Sequence, residues 1–404
     1  MSTIRSVDLA GIFDSRGRPT VEATVRLDSG ATGRAGAPSG ASTGIHEVTA
    51  FPPGGVPEAI ARFSAEVAPR LVGLDATGVE TVDRTIAALD GTPQLSRIGG
   101  NVATAVSVAT ATARAQELGR PLWEVLRRPG VDGVRFPAVV GNCLNGGVHA
   151  VNGPEIQECI AFAEGRSIDE SIRAAIDVHR RIGAELHRRY PAAALGRGDE
   201  GGWVAAISSA EAVEILAAAC AASRDELGIS VHPGIDMAAS ELYHDGRYRY
   251  RDRSLDPAGQ LGFVVDLIDR HGLRFVEDPF DQEAFAEFGE LTRQVGRSVL
   301  VVGDDIYVTQ RSRIERGLSQ HASNGVLIKV NQVGSLTGTF AACDAARAAG
   351  ASLVASHRSG ETPDAWLAHV ALGIGARGIK TGVLGGERMA KLNELLRLAR
   401  ARGA

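Results

Sequence analysis

The chain is poor in cysteine and aromatic residues, and it has no long apolar run. Only 4 of its 404 residues are cysteine, and none has CxxC spacing. The pattern therefore favours reduced, buried thiols over a zinc site or a disulfide framework. No run of about 18 apolar residues predicts a membrane span, and residues 1–19 lack the apolar segment of a secretory signal. We therefore predict a cytoplasmic protein with no membrane partner.

Neither positive nor negative residues are in large excess, with 43 Lys and Arg against 48 Asp and Glu. The formal net charge is −5, which gives no support for nucleic acid or an anionic membrane as the main partner. The length is typical of two domains. Residues 126–142 contain prolines and glycines that favour a connection. We predict a first domain at 1–128 and a second at 136–404.

The first part of the chain mixes strand and helix patterns. Residues 20–28 alternate between apolar and polar, which predicts a half-buried antiparallel strand. Helical spacing follows at residues 57–71, 79–90 and 101–119. Residues 33–47, GRAGAPSGASTGIHE, form either a plain connection or a mobile lid that offers hydroxyls and amides to an anion.

The second part repeats a short apolar run that ends in a charged residue. Residues 273–332 hold three such runs, which end at Glu277, Asp304 and Lys329. Asp236, His357 and Lys380 extend this series, mostly at intervals of about 25 residues, the length of a βα unit. We therefore predict an α/β barrel in which all six side chains meet at the carboxyl ends of the strands.

Three carboxylates brought together would repel one another. Asp236, Glu277 and Asp304 either pair with basic neighbours or share a hard, oxygen-preferring cation such as Mg²⁺, and we favour the cation. Lys329 and Lys380 are either ordinary ion-pair partners or, in the field of that cation, include one neutral amine that acts as a general base.

Two further motifs carry polar groups. SHRSGET (356–362) is either an anion site built on Arg358 and Ser359 or a turn in which Ser359 or Thr362 caps the next helix. Glu200 lies between glycines, which by itself is typical of a solvated turn. With Glu158 as a second spare carboxylate, the set suits removal of a proton α to a carboxylate and loss of a β-leaving group.

The wording of these motifs resembles the enolase family. The motifs SRGRPTVE, GAPSGASTGIHE, LNGGVHA, GDEGG, VEDPF, VGDD, LIKVNQVGSLT, SHRSGET and IKTG follow the order of that family over nearly the whole chain. The resemblance implies a modified TIM barrel of ββαα(βα)6 type, preceded by a smaller α+β domain. It also implies a homodimer or a higher homo-oligomer.

The resemblance further implies a role for each matching residue. Two Mg²⁺ per active site are implied, the first on Asp236, Glu277 and Asp304 and the second on Ser42. Lys329 would remove the C2 proton of 2-phosphoglycerate, and Glu200 would assist loss of the C3 hydroxyl, which reverses the solvated-turn interpretation. Supporting roles are implied for Glu158, His149 and His357 beside the reacting atoms, for Lys380 on the substrate carboxylate, for Arg358 and Ser359 on the phosphate, and for Gln157, Ser39 and Ala41 on the substrate.

The departures from the family pattern lie in the loops. The segments after Glu47 and after Glu241 are short, and Gly385 and Gly386 replace an Arg-Ser pair. Three hypotheses follow: a 2-phosphoglycerate dehydratase, a paralogue with a phosphonate substrate such as carboxyphosphonoenolpyruvate synthase of phosphinate antibiotic pathways, and a non-catalytic binding protein. The third is disfavoured because every proton-transfer position holds a competent residue.

Overall fold

The computed structural model describes residues 2–41, 44–133, 135–150 and 152–403. Its strands are β1 (Ile4–Phe13), β2 (Pro19–Leu27), β3 (Thr32–Gly36), β4 (Ala138–Asn145), β5 (Glu158–Ala163), β6 (Gly196–Arg197), β7 (Trp203–Val204), β8 (Val231–Asp236), β9 (Tyr243–His244), β10 (Arg247–Arg249), β11 (Ser254–Leu255), β12 (Phe275–Glu277), β13 (Leu300–Gly303), β14 (Gly325–Ile328), β15 (Ser352–Ser356) and β16 (Gly378–Gly382).

The helices occupy most of the remaining chain. The α-helices are α1 (Gly55–Arg62), α2 (Ala68–Leu71), α3 (Glu80–Asp90), α4 (Gly100–Leu118), α5 (Leu122–Val125), α6 (Ile168–Arg189), α7 (Ser209–Leu227), α8 (Pro257–His271), α9 (Phe285–Val295), α10 (Arg311–Ser319), α11 (Val330–Val333), α12 (Leu336–Ala348), α13 (Trp366–Gly373) and α14 (Gly386–Ala401). A π-helical turn (Phe63–Val67) joins α1 to α2, and 3-10 turns lie at Gly147–His149 and Ala239–Leu242. None of the described helices is long and apolar enough to cross a membrane.

The first three strands form an antiparallel sheet in the order β1, β2, β3. In β2 the side chains of Val21, Ala23, Val25 and Leu27 are buried, and this alternation confirms the half-buried strand predicted at 20–28. Helix α4 packs on β2 and β3. Its face is rich in Ala, Val and Thr, and these small side chains let the helix backbone approach the sheet closely.

Eight strands close into a barrel. They follow the order β4, β5, β8, β12, β13, β14, β15, β16, and the pairing of β16 with β4 completes the ring. Strand β5 is antiparallel to both neighbours, and the other pairs are parallel. Helices α6 and α7 separate β5 from β8, and six strand–helix units follow. This architecture confirms the predicted ββαα(βα)6 barrel.

The barrel interior is apolar below the charged strand ends. A separate cluster of buried side chains fills it: Ala138, Val140, Ile160, Phe162, Phe275, Leu300, Val302, Leu327 and Val354. These side chains exclude water from beneath the site, so charges at the strand ends are desolvated from one side. All four cysteines are buried, and burial raises the pKa of Cys159 and of Cys343 to about 12.

The two parts of the chain touch through buried polar contacts. Asp83 on α3 accepts hydrogen bonds from the main-chain N and the hydroxyl of Thr337, at 3.0 and 2.5 Å. The main-chain N of Leu336 donates to Ser107 Oγ on α4 at 3.0 Å. These contacts join α3 and α4 to the start of α12, which belongs to the barrel. The limits 1–128 and 136–404 remain a prediction.

We expect Gly33→Ala to destabilise the protein by about 2 to 3 kcal/mol. A methyl group at residue 33 would overlap the main-chain O of Ala109 and N of Ala113 on α4. Gly262→Ala is the matched control, because the same methyl group on α8 meets nothing within 4 Å and should stabilise by about 0.5 kcal/mol. Urea unfolding of both variants tests the close packing, and equal midpoints would contradict it.

We expect Asp83 to make stability fall as the pH rises from about 4 to about 6. Burial raises the pKa of Asp83 from its ordinary value of 3.8 to about 6. A raised folded-state pKa gives stability that is fully present below the unfolded pKa and lost as the pH rises through the folded pKa, here about 3 kcal/mol. In Asp83→Asn this fall should disappear from pH-dependent urea unfolding. Arg84→Gln, an exposed change on the same helix, should leave the fall unchanged.

Candidate active site

The three acids predicted at strand ends lie side by side. Asp236 and Glu277 are the last residues of β8 and β12 and are paired in register. Asp304 follows β13, which pairs with β12. Parallel strands in neighbouring positions end at the same edge, so the sequence prediction of a shared location is correct.

Lys380 reaches these acids from the last barrel strand. Its Nζ lies 2.9 Å from Asp236 Oδ2, 2.8 Å from both carboxylate oxygens of Glu277, and 3.2 Å from Glu158 Oε1. Lys329, which follows β14, pairs instead with Asp304. The acids therefore do pair with basic side chains, the alternative that the sequence left open beside the cation.

Two lysines do not balance the carboxyl groups. Asp278 and Asp305 lie beside Asp304, and their ligand oxygens fall within 4.8 Å of one another. Burial, with repulsion from the neighbouring carboxylates, raises the pKa of Glu277 and of Asp278 well above the usual range, and it raises the pKa of Asp305 to about 8. An all-oxygen set with surplus negative charge fits a hard divalent cation.

The ligand set of such a cation remains a prediction. His149, Glu158 and Glu200 form a second group whose ligand atoms lie within 4.8 Å of one another. Among the described residues, the predicted ligands Asp236, Glu277 and Asp304 do not form such a group. Asp236 and Glu277 both contact Lys380, whereas Asp304 pairs with Lys329.

The charges that this chain itself supplies favour the protonated form of both lysines. Burial lowers the pKa of Lys329, but the Asp304 carboxylate outweighs burial and the net shift is upward. Burial likewise lowers the pKa of Lys380, and Asp236, Glu158 and Glu277 raise it well above its usual value. A neutral amine requires the field of a bound cation and stays a prediction.

The antiparallel strand brings Glu158 into the site. Glu158 is the first residue of β5 and pairs in register with Asp236, the last residue of β8. Because β5 runs against its neighbours, its first residue lies at the edge where theirs end. The Nδ1 atom of His149 lies 3.9 Å from Glu158 Oε1 and 4.0 Å from Glu200 Oε1.

Glu200 is buried, with 3% of its surface exposed, so the solvated turn suggested by its flanking glycines is wrong. Its Oε2 accepts from Asn142 Nδ2 at 2.9 Å and lies 3.1 Å from His357 Nε2. Burial raises the pKa of Glu200, but His357, His149 and Arg388 outweigh it and the net shift is downward. Burial and the Glu200 charge raise the pKa of Glu158. Of the two acids, Glu158 therefore holds a proton more tightly.

The SHRSGET turn presents an arginine and a hydroxyl to the same cavity. Arg358 and Ser359 line that cavity with Lys329, Lys380 and Glu200. Ser359 Oγ is buried without a hydrogen-bond partner among the described residues. A buried hydroxyl of this kind is available to bind a ligand. The helix-cap alternative is wrong, since α13 begins at Trp366 with Ala365 at its N-cap.

Arg358 already holds a carboxylate. Its Nη1 and Nη2 lie 2.9 and 3.1 Å from the two oxygens of Glu47, and its Nη1 donates to Asn331 Oδ1 at 3.0 Å. Glu47 also accepts from Gln332 Nε2 at 3.4 Å, and the same nitrogen donates to Asp304 Oδ1 at 2.8 Å. The loop at 33–47 is thus tied to Arg358 and, through Gln332, to a predicted metal ligand.

The remaining predicted residues lie around the same cavity. Ser39 forms an isolated bridge with Gly360, and Gln157 Nε2 donates to Asp236 Oδ2 at 3.4 Å. Ala41 and Gln157 line the cavity. Ser42, predicted to bind the second metal ion, lies outside the described residues.

Sequence reasoning missed the residues that hold the predicted ones in place. Glu47 and Gln332 were part of quoted motifs, and that was the available signal, but no role was assigned to them. Asp278 has a φ of 40° and accepts the main-chain N–H groups of Asp304 and Asp305 at 2.9 and 2.7 Å. Asp278 was also part of a quoted motif, VEDPF, but nothing in the motif indicated this role.

Two family models match the chain. The enolase N-terminal domain matches residues 4–126, and the enolase C-terminal TIM barrel domain matches residues 134–404. The chain belongs to the enolase family. It is accordingly an enzyme, a lyase of the enolase superfamily, and membership implies use of a divalent metal ion.

Proteins named Enolase from two archaea illustrate how close family members are. The protein of Methanosphaera stadtmanae is 43% identical over 403 residues, covering 98% of this chain and 97% of its own length. The protein of Natronomonas pharaonis is 44% identical over 400 residues, covering 98% and 99%. Because the matches cover 97% and 99% of the relatives' own lengths, neither relative has a long loop that this chain lacks.

We expect Glu47→Gln to destabilise the protein by about 3 kcal/mol, because it removes one charge of a buried ion pair. Glu47 and Arg358 side chains are 7% and 3% exposed. His46→Gln is the matched control. His46 lies next to Glu47 in the same loop and pairs with Glu283, but both side chains of that pair are at least 40% exposed, so its loss should cost less than about 0.5 kcal/mol. Equal urea midpoints for the two variants would refute the buried-pair account.

Proposed function

We propose that this chain dehydrates 2-phosphoglycerate to phosphoenolpyruvate with two Mg²⁺ in its active site. One observation carries the proposal: a single cavity is lined by two lysines, two spare glutamates and an Arg-Ser anion pair, beside a surplus of buried carboxylates. The names of the relatives support the same reaction. We further propose a homodimer or higher homo-oligomer and a cytoplasmic location.

The substrate would be held at both of its anionic ends. Arg358 and Ser359 would bind the phosphate, since a guanidinium and a free hydroxyl suit its oxygens. Lys380 would hold the carboxylate. Ser39, Ala41 and Gln157 would close the sides of the site, and His149 and His357 would flank the reacting atoms.

Two residues would move protons. Lys329 would accept the C2 proton at Nζ, which requires that the amine first lose its own proton despite the pairing with Asp304. Glu200 would give a proton to the departing C3 hydroxyl, which requires that it first take up a proton despite its lowered pKa. Glu158, which holds a proton more tightly, lies beside it. The apolar filling below and the burial of most polar groups in the site, among them Glu158, Glu200 and Lys380, limit bulk water, which strengthens these interactions.

Asp236, Glu277 and Asp304 would hold the first Mg²⁺, and Ser42 would contribute to the second. Bound Mg²⁺ would supply positive charge that stabilises the negative charge developing on the substrate carboxylate. The raised pKa of Glu277 supports this role for its carboxylate, because a cation would offset both the burial and the repulsion from neighbouring carboxylates that raise it.

The phosphonate hypothesis has no independent support. It rested on short loops, and proteins named Enolase are matched here over 97% and 99% of their own lengths. The proposed function is therefore dehydration of 2-phosphoglycerate alone.

The test measures two reactions on the same samples. Purified protein with Mg²⁺ and 2-phosphoglycerate is followed for phosphoenolpyruvate formation and, in D₂O, for exchange of the C2 proton. Wild type should do both, and removal of Mg²⁺ with a chelator should abolish both. Lys329→Ala should lose at least about 1,000-fold in each rate, the scale of a lost general base.

The controls separate loss of chemistry from loss of folding. Arg316→Ala removes an exposed cation on α10 that lies 3.7 Å from Glu283 and should keep full activity. Wild type without exchange or dehydration would overturn the proposal. Exchange with poor elimination that an added phosphonate restores would point instead to the paralogue.

A further inference from the structure

A fully buried arginine joins the last helix to the site. Arg388 is the third residue of α14 and has no exposed surface. Its Nη1 lies 2.8 Å from His357 Nδ1 and 2.6 Å from the carbonyl O of Arg358. Its Nη2 donates to the carbonyl oxygens of Ser359 at 2.6 Å and Asp199 at 3.0 Å. The segments that carry Glu200 and His357 therefore meet on one guanidinium.

The contact with His357 decides which nitrogen of the ring carries hydrogen. A guanidinium only donates, so Nδ1 of His357 must accept and is unprotonated. The ring then carries its hydrogen on Nε2, which lies 3.1 Å from Glu200 Oε2. A neutral ring is also what burial favours, since burial lowers the pKa of His357 to about 4.

The orientation of Glu200 follows from this tautomer. Oε2 of Glu200 accepts from His357 Nε2 and from Asn142 Nδ2. The other oxygen, Oε1, faces His149 Nδ1 at 4.0 Å. A proton to be delivered would therefore sit on Oε1, because Oε2 is engaged by two N–H donors.

We propose that Arg388 is a positioning residue that holds His357 as its Nε2–H tautomer and thereby fixes which oxygen of Glu200 faces the substrate. The effect on catalysis rests on the proposed dehydration, whereas the tautomer itself does not. Arg388 acts through His357 and through the loop carbonyls, and it touches neither reacting atom.

Lys391 separates this role from simple support of the loop. It lies three residues further along α14 and is 1% exposed. Its Nζ donates to the carbonyl O of Thr362 at 2.7 Å and pairs with Glu361 Oε2 at 2.8 Å. It thus supports the same SHRSGET turn from the same helix, but none of its described hydrogen bonds reaches His357.

The first experiment reads the tautomer directly. Protein labelled with ¹⁵N-histidine is examined by NMR at pH 7, and the His357 signals are assigned by their loss in His357→Gln. Wild type should show a neutral ring with hydrogen on Nε2, and so should Lys391→Met. Arg388→Met should show a mixture of tautomers or a charged ring. A wild-type ring with hydrogen on Nδ1, or on both nitrogens, would overturn the proposal without any variant, so it stays testable even where Arg388→Met does not fold.

The second experiment reads the consequence. In Arg388→Met the rate of phosphoenolpyruvate formation should fall at least about tenfold, while C2 exchange in D₂O should change by no more than about threefold, because the proton donor and not the base is affected. Lys391→Met should lower both rates together, or neither. Parallel loss of both rates in Arg388→Met would reduce Arg388 to a structural role. Wild type that does neither reaction would defeat the proposed function and leave the tautomer measurement standing.

Discussion

The closure of the barrel places a buried ammonium among buried carboxylates, and the site depends on that contact. Lys380 on β16 meets Asp236, Glu277 and Glu158 only because β16 pairs with β4 and completes the ring. Each carboxylate there has been removed from water, which costs several kcal/mol per ion unless a partner compensates. The lysines compensate in part, and the excess of acids is what makes the site receptive to a cation. The same surplus of buried carboxylates therefore lowers the stability of the fold and provides the oxygen atoms that a cation would bind.

One reversed strand changes what the mouth of the barrel contains. In an all-parallel barrel the first residue of a strand lies at the opposite end from the chemistry. Strand β5 runs the other way, and its first residue, Glu158, lies opposite Asp236. The loop that carries Glu200 then brings a second acid within 4.8 Å of it. Two carboxyl groups with shifted pKa values in opposite directions result, which is how one site can hold both a protonated and an ionised acid at the same pH.

The first domain contributes to the site by reaching over it. Glu47 and Arg358 are 311 residues apart in the sequence, and they form a buried ion pair. Ser39 bridges to Gly360 in the same turn, and Gln332 links Glu47 with Asp304. Movement of the loop away from the site would break the Glu47–Arg358 ion pair and leave Arg358 buried without that carboxylate. A phosphate on Arg358, as proposed above, would compete with Glu47 for the guanidinium.

The sequence by itself determined the strands, the residues at their ends and the family. A short apolar run followed by a charge identifies a strand and its carboxyl end, so Asp236, Glu277, Asp304 and Lys329 were found at one edge without coordinates. The motifs supplied Glu200, Arg358 and Ser359, although their neighbours suggested a turn or a cap. Only the tertiary structure decided which groups are partners and where protons are held. Three acids raise the pKa of Lys380, and Glu47 forms an ion pair with Arg358. Arg388 orients His357. The physical reason is that periodicity and spacing are local, whereas burial, the distance between charges and the direction of a hydrogen bond exist only after segments far apart in the chain have packed together.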